Sequence, residues 1–176
     1  MLKSAPSSFP APSLASTVLD GLPGHYIRRL QQIAVALFME ETAESGITPV
    51  QFATLTAAHE QPGLDQRSLA AMICFDTSTI GGVIDRLEKR GLMLRNAAPH
   101  DRRLRLLTVT PAGEALLAKV TPRVQAAQQR ILAPLPPDDQ AHFLRLLRSV
   151  VDAHGEGSGQ AFGQVRGDGS DASGVT

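Results

Sequence analysis

The sequence predicts a mainly α fold with a small β-wing: a winged helix-turn-helix lobe carried on long helices. Three observations carry this. Apolar residues recur at helical spacing through most of the segment 22–154. Two helix starts with acidic caps, Asp65 and Asp76, follow each other closely. Directly after that helix pair, two runs of branched and apolar residues flank a turn-rich basic segment.

In chain order, residues 1–21 are rich in Ser, Pro and Ala and read as a flexible leader. Leu22-Pro23-Gly24 opens a long helix that the pattern carries to Ser45, with Gly46 as its stop. Ile27, Leu30, Ile33, Ala34, Leu37 and Phe38 share one face of it. Thr48, Pro49 and Gln51 spell a capping box with Pro at the first helical position, and this second helix ends before Pro62-Gly63. Asp65 caps a short helix with Leu69 and Ile73 inward. Asp76 caps the next, whose Ile80, Val83, Ile84 and Leu87 form a buried stripe ending at Gly91. Leu92–Asn96 and Leu104–Thr110 read as strands around the tip Ala97–Arg103. Thr110-Pro111 opens another long helix with Leu116, Leu117, Val120 and Val124 apolar, and Pro122 predicts a kink or break near Val120. A last helix over 137–153 carries Phe143, Leu146, Leu147, Val150 and Val151 as its inner face. Residues 155–176 hold seven glycines in 22 positions and read as a disordered tail.

The second capped helix of the pair bears the more informative face. At about 100° per residue, Ser78, Gly82, Asp85 and Lys89 point away from its apolar stripe, with Thr79 and Arg86 beside them. Small hydroxyls at the start and cations at the end suit entry into a DNA major groove, and an arginine-tipped hairpin alongside suits the minor groove. The same face also reads as an ordinary solvated surface. Gly81-Gly82 weighs against that, because two mid-helix glycines cost about 1 kcal/mol each relative to Ala unless another surface approaches closely.

The order helix, helix, Asp85-Arg86-Leu87-Glu88, Arg90-Gly91-Leu92, Asp101-Arg102-Arg103 and Leu107 through Gly113 resembles the MarR-type winged-helix regulators over residues 22–154. The resemblance implies a DNA-binding lobe at 48–110 and dimerisation helices at 22–46 and 111–154. It implies DNA contacts from Ser68, Thr77, Ser78, Thr79, Gly82, Arg86, Lys89, Arg102, Arg103 and Arg105, with Asp101 bracing the wing and Arg103 in the minor groove. It further implies a homodimer on an inverted-repeat, double-stranded DNA operator. The runs Ile27–Gln32 and Asp76–Gly82 are similar to members that control breakdown of nicotinate-like or other aromatic acids. An effector pocket between the first helix and the lobe would then use His25, Tyr26 and Arg29 on one wall and Gln51 and Phe52 on the other. Arg29 would take a carboxylate and His25, one turn away, a ring substituent. The pair His25 and Arg29 also reads as solvated or as making inter-subunit ion pairs, and that reading stands beside the ligand-binding one.

Composition narrows the alternatives. The net charge is zero, but Arg67 to Arg105 holds eight Lys/Arg against four acids, a local net of +4 on a neutral chain. A single cysteine, Cys74, excludes a disulfide framework and a cysteine metal cluster; its expected place is a small buried hydrophobe beside the helix turn. The peroxide-sensing branch of the family carries its cysteine near the start of the first helix, where this chain has none. The five histidines are scattered without metal-ligand spacing, and no phosphate loop or nucleophile elbow is visible, so no catalytic residue, metal or cofactor is expected. The apolar runs are too short to cross a membrane, and a cytoplasmic location is expected. A protein-interaction module without ligand sensing is the alternative to a ligand-released repressor; an enzyme is the third class, and no constellation supports it.

Overall fold

The computed structural model describes residues 19–98 and 104–155, and this chain divides into two compact units, one ending at Ile131 and one beginning at Leu132. The leader up to residue 18, the hairpin tip from 99 to 103 and the tail from 156 lie outside the described residues. After a 3-10 turn at Leu19–Gly21 come α1 (Pro23–Glu41), α2 (Pro49–Glu60), α3 (Gln66–Met72), α4 (Thr77–Lys89), β1 (Met93–Ala97), β2 (Arg105–Val109), α5 (Pro111–Leu132) and α6 (Pro137–Gly155).

Local chemistry accounts for most of the boundaries. Thr48 accepts from the Gln51 amide at 3.3 Å, and the Gln51 side chain accepts from the Thr48 amide at 3.1 Å, so the capping box is complete. The end of α1 differs from the expectation: the helix stops at Glu41 and not at Ser45. The Thr42 hydroxyl donates back to the Phe38 carbonyl at 2.8 Å, and the chain tightens into a 3-10 turn, Ala43–Ser45, before Gly46 at φ +58°. Both helices of the central pair close alike. At the end of α4, Leu92 N–H donates to Leu87 O and Gly91 N–H to Glu88 O; after α3, Phe75 N–H donates to Ala70 O and Cys74 N–H to Ala71 O. The left-handed position is Gly91 in one turn and Cys74, at φ +56°, in the other. Cys74 is exposed there, which corrects its expected burial: the left-handed turn carries it out to the surface.

The core of the first unit lies where α2, α3, α4 and the hairpin converge. Ile47, Leu55, Leu69, Ile80, Ile84, Leu87, Met93 and Leu107 are fully buried, each contributing about 1.5–3 kcal/mol over exposure. The hairpin pairs Met93 with Val109, Arg95 with Leu107 and Ala97 with Arg105. It is sewn to the chain ahead of α3 as well: Leu107 N–H donates to Leu64 O at 2.8 Å, and Asp65 bridges Leu106. At the other end of the hairpin Thr110 launches α5. Its hydroxyl donates to Gly91 O at 2.7 Å and accepts from the Gly113 amide at 3.1 Å, and its own amide donates to Leu92 O at 3.1 Å. Gly113 packs so closely here that a Cβ would stand 2.2 Å from the Leu92 carbonyl oxygen.

One expectation about the long helices is revised, the break near Val120, and two of their apolar faces stay largely open among the described residues. α5 runs unbroken through Pro122 from Pro111 to Leu132, with Leu117, Val120 and Val124 buried and Leu116 half-buried. Of the six apolar positions of α1 only Leu37 and Phe38 are buried, and Ile27 is 59% exposed. On α6, Leu146, Leu147, Val150 and Val151 are exposed, the last by 60%, and Phe143 is half-buried. Their helical spacing is as expected, but nothing among the described residues covers them.

Candidate nucleic-acid interface

α4 stands on the core with Ile80, Val83, Ile84 and Leu87 beneath it and its opposite face open. Thr77, Ser78 and Thr79 are exposed in its first turn, Arg86 and Lys89 are exposed further along, and Gly82 between them is half-buried. Ser68 is exposed on α3 and Arg105 on β2. Arg86, Lys89 and Arg105 form no ion pair among the described residues, which leaves their charges available to a phosphate backbone. Asp101, Arg102 and Arg103 lie outside the described residues.

The start of α4 is tightly organised. Asp76 accepts from the Thr79 amide at 2.8 Å and from the hydroxyls of Ser78 and Thr79, each at 2.5 Å. These bonds, the Ser78 hydroxyl first, hold the Asp76 carboxyl far below the ordinary carboxylate range. Asp65 does the same work for α3: the Ser68 amide at 2.7 Å is the main cause of its lowered pKa.

The two glycines of α4 separate in role. A Cβ on Gly81 would sit 2.9 Å from the Gln66 side-chain nitrogen, so α3 approaches α4 there. A Cβ on Gly82 would meet only the end of the Arg86 side chain at 3.8 Å, so no internal packing requires that glycine.

Two arginines counted in the basic patch are committed inside the lobe. Arg90 donates to Ser45 O at 2.9 Å and Gly46 O at 3.3 Å, tying the end of α4 to the junction of α1 and α2. Arg95 pairs with Asp85 at 2.7 Å and with Glu88. Asp85 therefore turns to the hairpin, and not outward with Ser78 and Lys89. Sequence reasoning missed Arg95's role. Its signal was the alternation of the strand, which puts Arg95 on the same face as Met93 and opposite Leu107.

The effector candidates are dispersed. His25 is half-buried with its ring edge-on to Tyr26 at 5.6 Å, while Tyr26 and Arg29 are exposed. Gln51 is buried and held by the capping box, and Phe52 is half-buried with its ring 6.0 Å from that of Phe38. Phe52 also lines a cleft of about 580 Å³ between α2 and α5, with Thr56, His59, Glu114 and Thr121. The Thr56 hydroxyl there is buried with no hydrogen-bond partner among the described residues, and His59 meets Glu114 at 2.7 Å across the mouth. A second cleft, about 540 Å³, is lined by Glu40, Glu41, Glu44, Lys119 and Arg123. Neither cleft includes His25, Tyr26 or Arg29. Among the described residues no group of three or more His, Cys, Asp or Glu could hold a metal ion, and no helix is long and apolar enough to cross a membrane.

Known proteins match this arrangement. The sequence pattern of the MarR family matches residues 47–104, the stretch from α2 to the hairpin. The HTH-type transcriptional repressor NicR of Pseudomonas putida is 29% identical over 151 residues, covering 86% of this chain and 95% of the relative. A putative transcriptional regulatory protein for the hcr operon of Thauera aromatica is 32% identical over 133 residues, covering 75% and 80%. The structure of BpsR from Bordetella bronchiseptica, solved in a study of how 6-hydroxynicotinic acid regulates its DNA binding, superposes with a TM-score of 0.72. It is 32% identical and covers 76% of this chain and 95% of that one. With its helix pair and first strand inside the matched stretch, and a relative 32% identical over 75% of this chain, the chain belongs to the MarR family of transcriptional regulators.

Proposed function

We propose that this protein is a dimeric repressor that binds an inverted-repeat operator and leaves it when a small aromatic acid binds. The observation that carries the DNA-binding part is the open face of α4, where Ser78, Thr79, Arg86 and Lys89 are exposed over a fully buried stripe. With Thr77, Gly82 and Ser68, that face would read a major groove, and Arg102, Arg103 and Arg105 of the wing would reach the neighbouring minor groove, braced by Asp101. The uncovered apolar faces of α1 and α6 support a second copy as their partner, with 22–46 and 111–154 as the dimerisation segments. Two recognition helices related by a two-fold axis fit half-sites roughly 10 bp apart, centre to centre. Such a protein acts on the chromosome and so in the cytoplasm.

The effector class is supported by the relatives: NicR is a repressor, and BpsR's DNA binding is regulated by 6-hydroxynicotinic acid. In this chain Arg29 is exposed and suited to take a carboxylate, with His25 one turn before it and Tyr26 beside it. Phe52 supplies apolar surface on α2, and Gln51 acts through the capping box that fixes the start of that helix. A ligand releases DNA only to the extent that it prefers the spacing of the two lobes that does not fit the operator. The test is a titration of hydroxypyridine and benzoate carboxylic acids against the protein–operator complex. At least one is expected to release DNA at millimolar concentration or below, and Arg29→Ala to abolish release while leaving ligand-free binding intact. Release by none of them, or a normal response from Arg29→Ala, would overturn the effector assignment.

A further inference from the structure

We propose that Arg95 is a positioning residue for DNA recognition, which fixes the angle between α4 and the wing hairpin without touching DNA. Its side chain is only 23% exposed, on the inward face of β1. One guanidinium nitrogen meets Asp85 at 2.7 Å and Glu88, and the other lies 3.4 Å from both the Gln66 side-chain oxygen and the Gly81 carbonyl. The second oxygen of Glu88 accepts from the Arg95 backbone amide at 2.9 Å, so Glu88 grips both ends of the residue. Gln66 in turn donates to the Thr77 carbonyl at 3.0 Å, at the start of α4. A single planar cation thus joins the first residue of α3, two turns of α4 and the middle of β1.

Geometry and charge both argue for positioning. Three residues past Arg95, Ala98 N–H donates to Leu104 O at 3.0 Å, and the five residues of the tip follow directly. Fixing β1 to α4 at Arg95 therefore fixes the base from which the tip leaves. Two carboxylates already neutralise Arg95, so its loss removes no cation that a phosphate could use. Gly81 belongs to the same device, since a side chain there would press on Gln66 at 2.9 Å. A planar fork with five donors meets this many acceptors at once, and a lysine would not.

This inference rests on the reading of the α4 face and wing as DNA contacts. The experiment first selects an operator from randomised duplexes with the wild-type protein, with no effector present. Affinity for that operator and for a scrambled duplex is then measured over a range of salt. The variants are Arg95→Met/Glu88→Gln, which leaves no unpaired partner at Glu88, and Asp85→Asn, which loosens one arm at an exposed carboxylate. The double variant is expected to lose about tenfold or more of the operator-to-scrambled ratio, with scrambled-duplex affinity and its salt slope unchanged. Arg95→Lys/Glu88→Gln is expected not to restore the ratio. Asp85→Asn is expected to lose a few-fold of the ratio at an unchanged melting temperature, and this arm decides the matter if the double variant does not fold. An unchanged ratio in folded variants would reduce Arg95 to a packing role and overturn the proposal. A parallel loss on both duplexes with a shallower salt slope would make it a phosphate contact, which also overturns it. A wild-type protein with no preference for any duplex would instead overturn the DNA-contact reading on which the inference stands.

Discussion

α4 and α6 carry apolar stripes of the same helical spacing and meet opposite fates. Ile80, Val83, Ile84 and Leu87 are sealed beneath α4, while Leu146, Leu147, Val150 and Val151 of α6 remain open to solvent. The difference lies in what the rest of the chain supplies. α4 lies against α2, α3 and β1, which close over its stripe, and its other face is left open. For α6 the described residues supply no cover for those four positions, although a stripe so regular has to be buried somewhere to stabilise a helix. A periodic pattern states that a helix has a buried side; it does not state which molecule buries it.

Substitutions in the two stripes should separate accordingly. Ile84→Ala is expected to destabilise the protein by about 2–5 kcal/mol in urea denaturation, because it opens a cavity in a sealed core. Val150→Asp should leave the first unit folded, but shift sedimentation from dimer to monomer and weaken operator binding with it. If Val150→Asp stays dimeric at micromolar concentration, the α6 stripe has some other partner.

A smaller effect tests the capped helix pair. Asp65→Ala is expected to cost about 0.5–2 kcal/mol at pH 7, the usual worth of a helix cap. Asp65 has its pKa lowered from 3.8 by the Ser68 amide, so its contribution is full above that value and is lost as the pH falls through the lower, folded one. The gap between wild type and variant should therefore narrow in acid; a gap that widens below pH 4 would contradict the assignment.

The smallest effect sharpens the view of α4 as buried on one side and poised on the other. Gly82→Ala should stabilise the protein by about 0.5–1 kcal/mol, since alanine favours a helix interior and its Cβ finds room beside Arg86. The same methyl group should weaken operator binding if the groove presses against that face. A variant that gains stability and keeps full affinity would place DNA elsewhere.

What the sequence disclosed and withheld follows the range of the interactions. The caps at Thr48, Asp65 and Asp76 were legible because each joins groups two or three residues apart. The stripes were legible because period alone encodes them. The third pairing, of Leu64 and Asp65 with β2, was not legible, because it joins segments some forty residues apart and carries no local mark. Arg95 and Arg90 enter the local net charge of +4 because a sum along the chain takes no account of the face each occupies. The end of α1 was misplaced at Gly46 because the hydroxyl of Thr42 had already turned the chain. At the start of α2 the capping box was legible but its consequence was not: it fixes the Gln51 side chain on the Thr48 amide.

The junction at Thr110 has a mechanical side. Its hydrogen bonds to Gly91 and Leu92, with Gly113 pressed on the Leu92 carbonyl, clamp the first turn of α5 to the foot of the hairpin. From that clamp α5 extends for 22 residues, a rod of roughly 33 Å, so each degree of rotation at its foot moves its far end by roughly 0.6 Å. A hairpin that turned by a few degrees with α5 as a rigid lever would shift the far end of the rod by an ångström or more, and a push on that end would turn the hairpin in return.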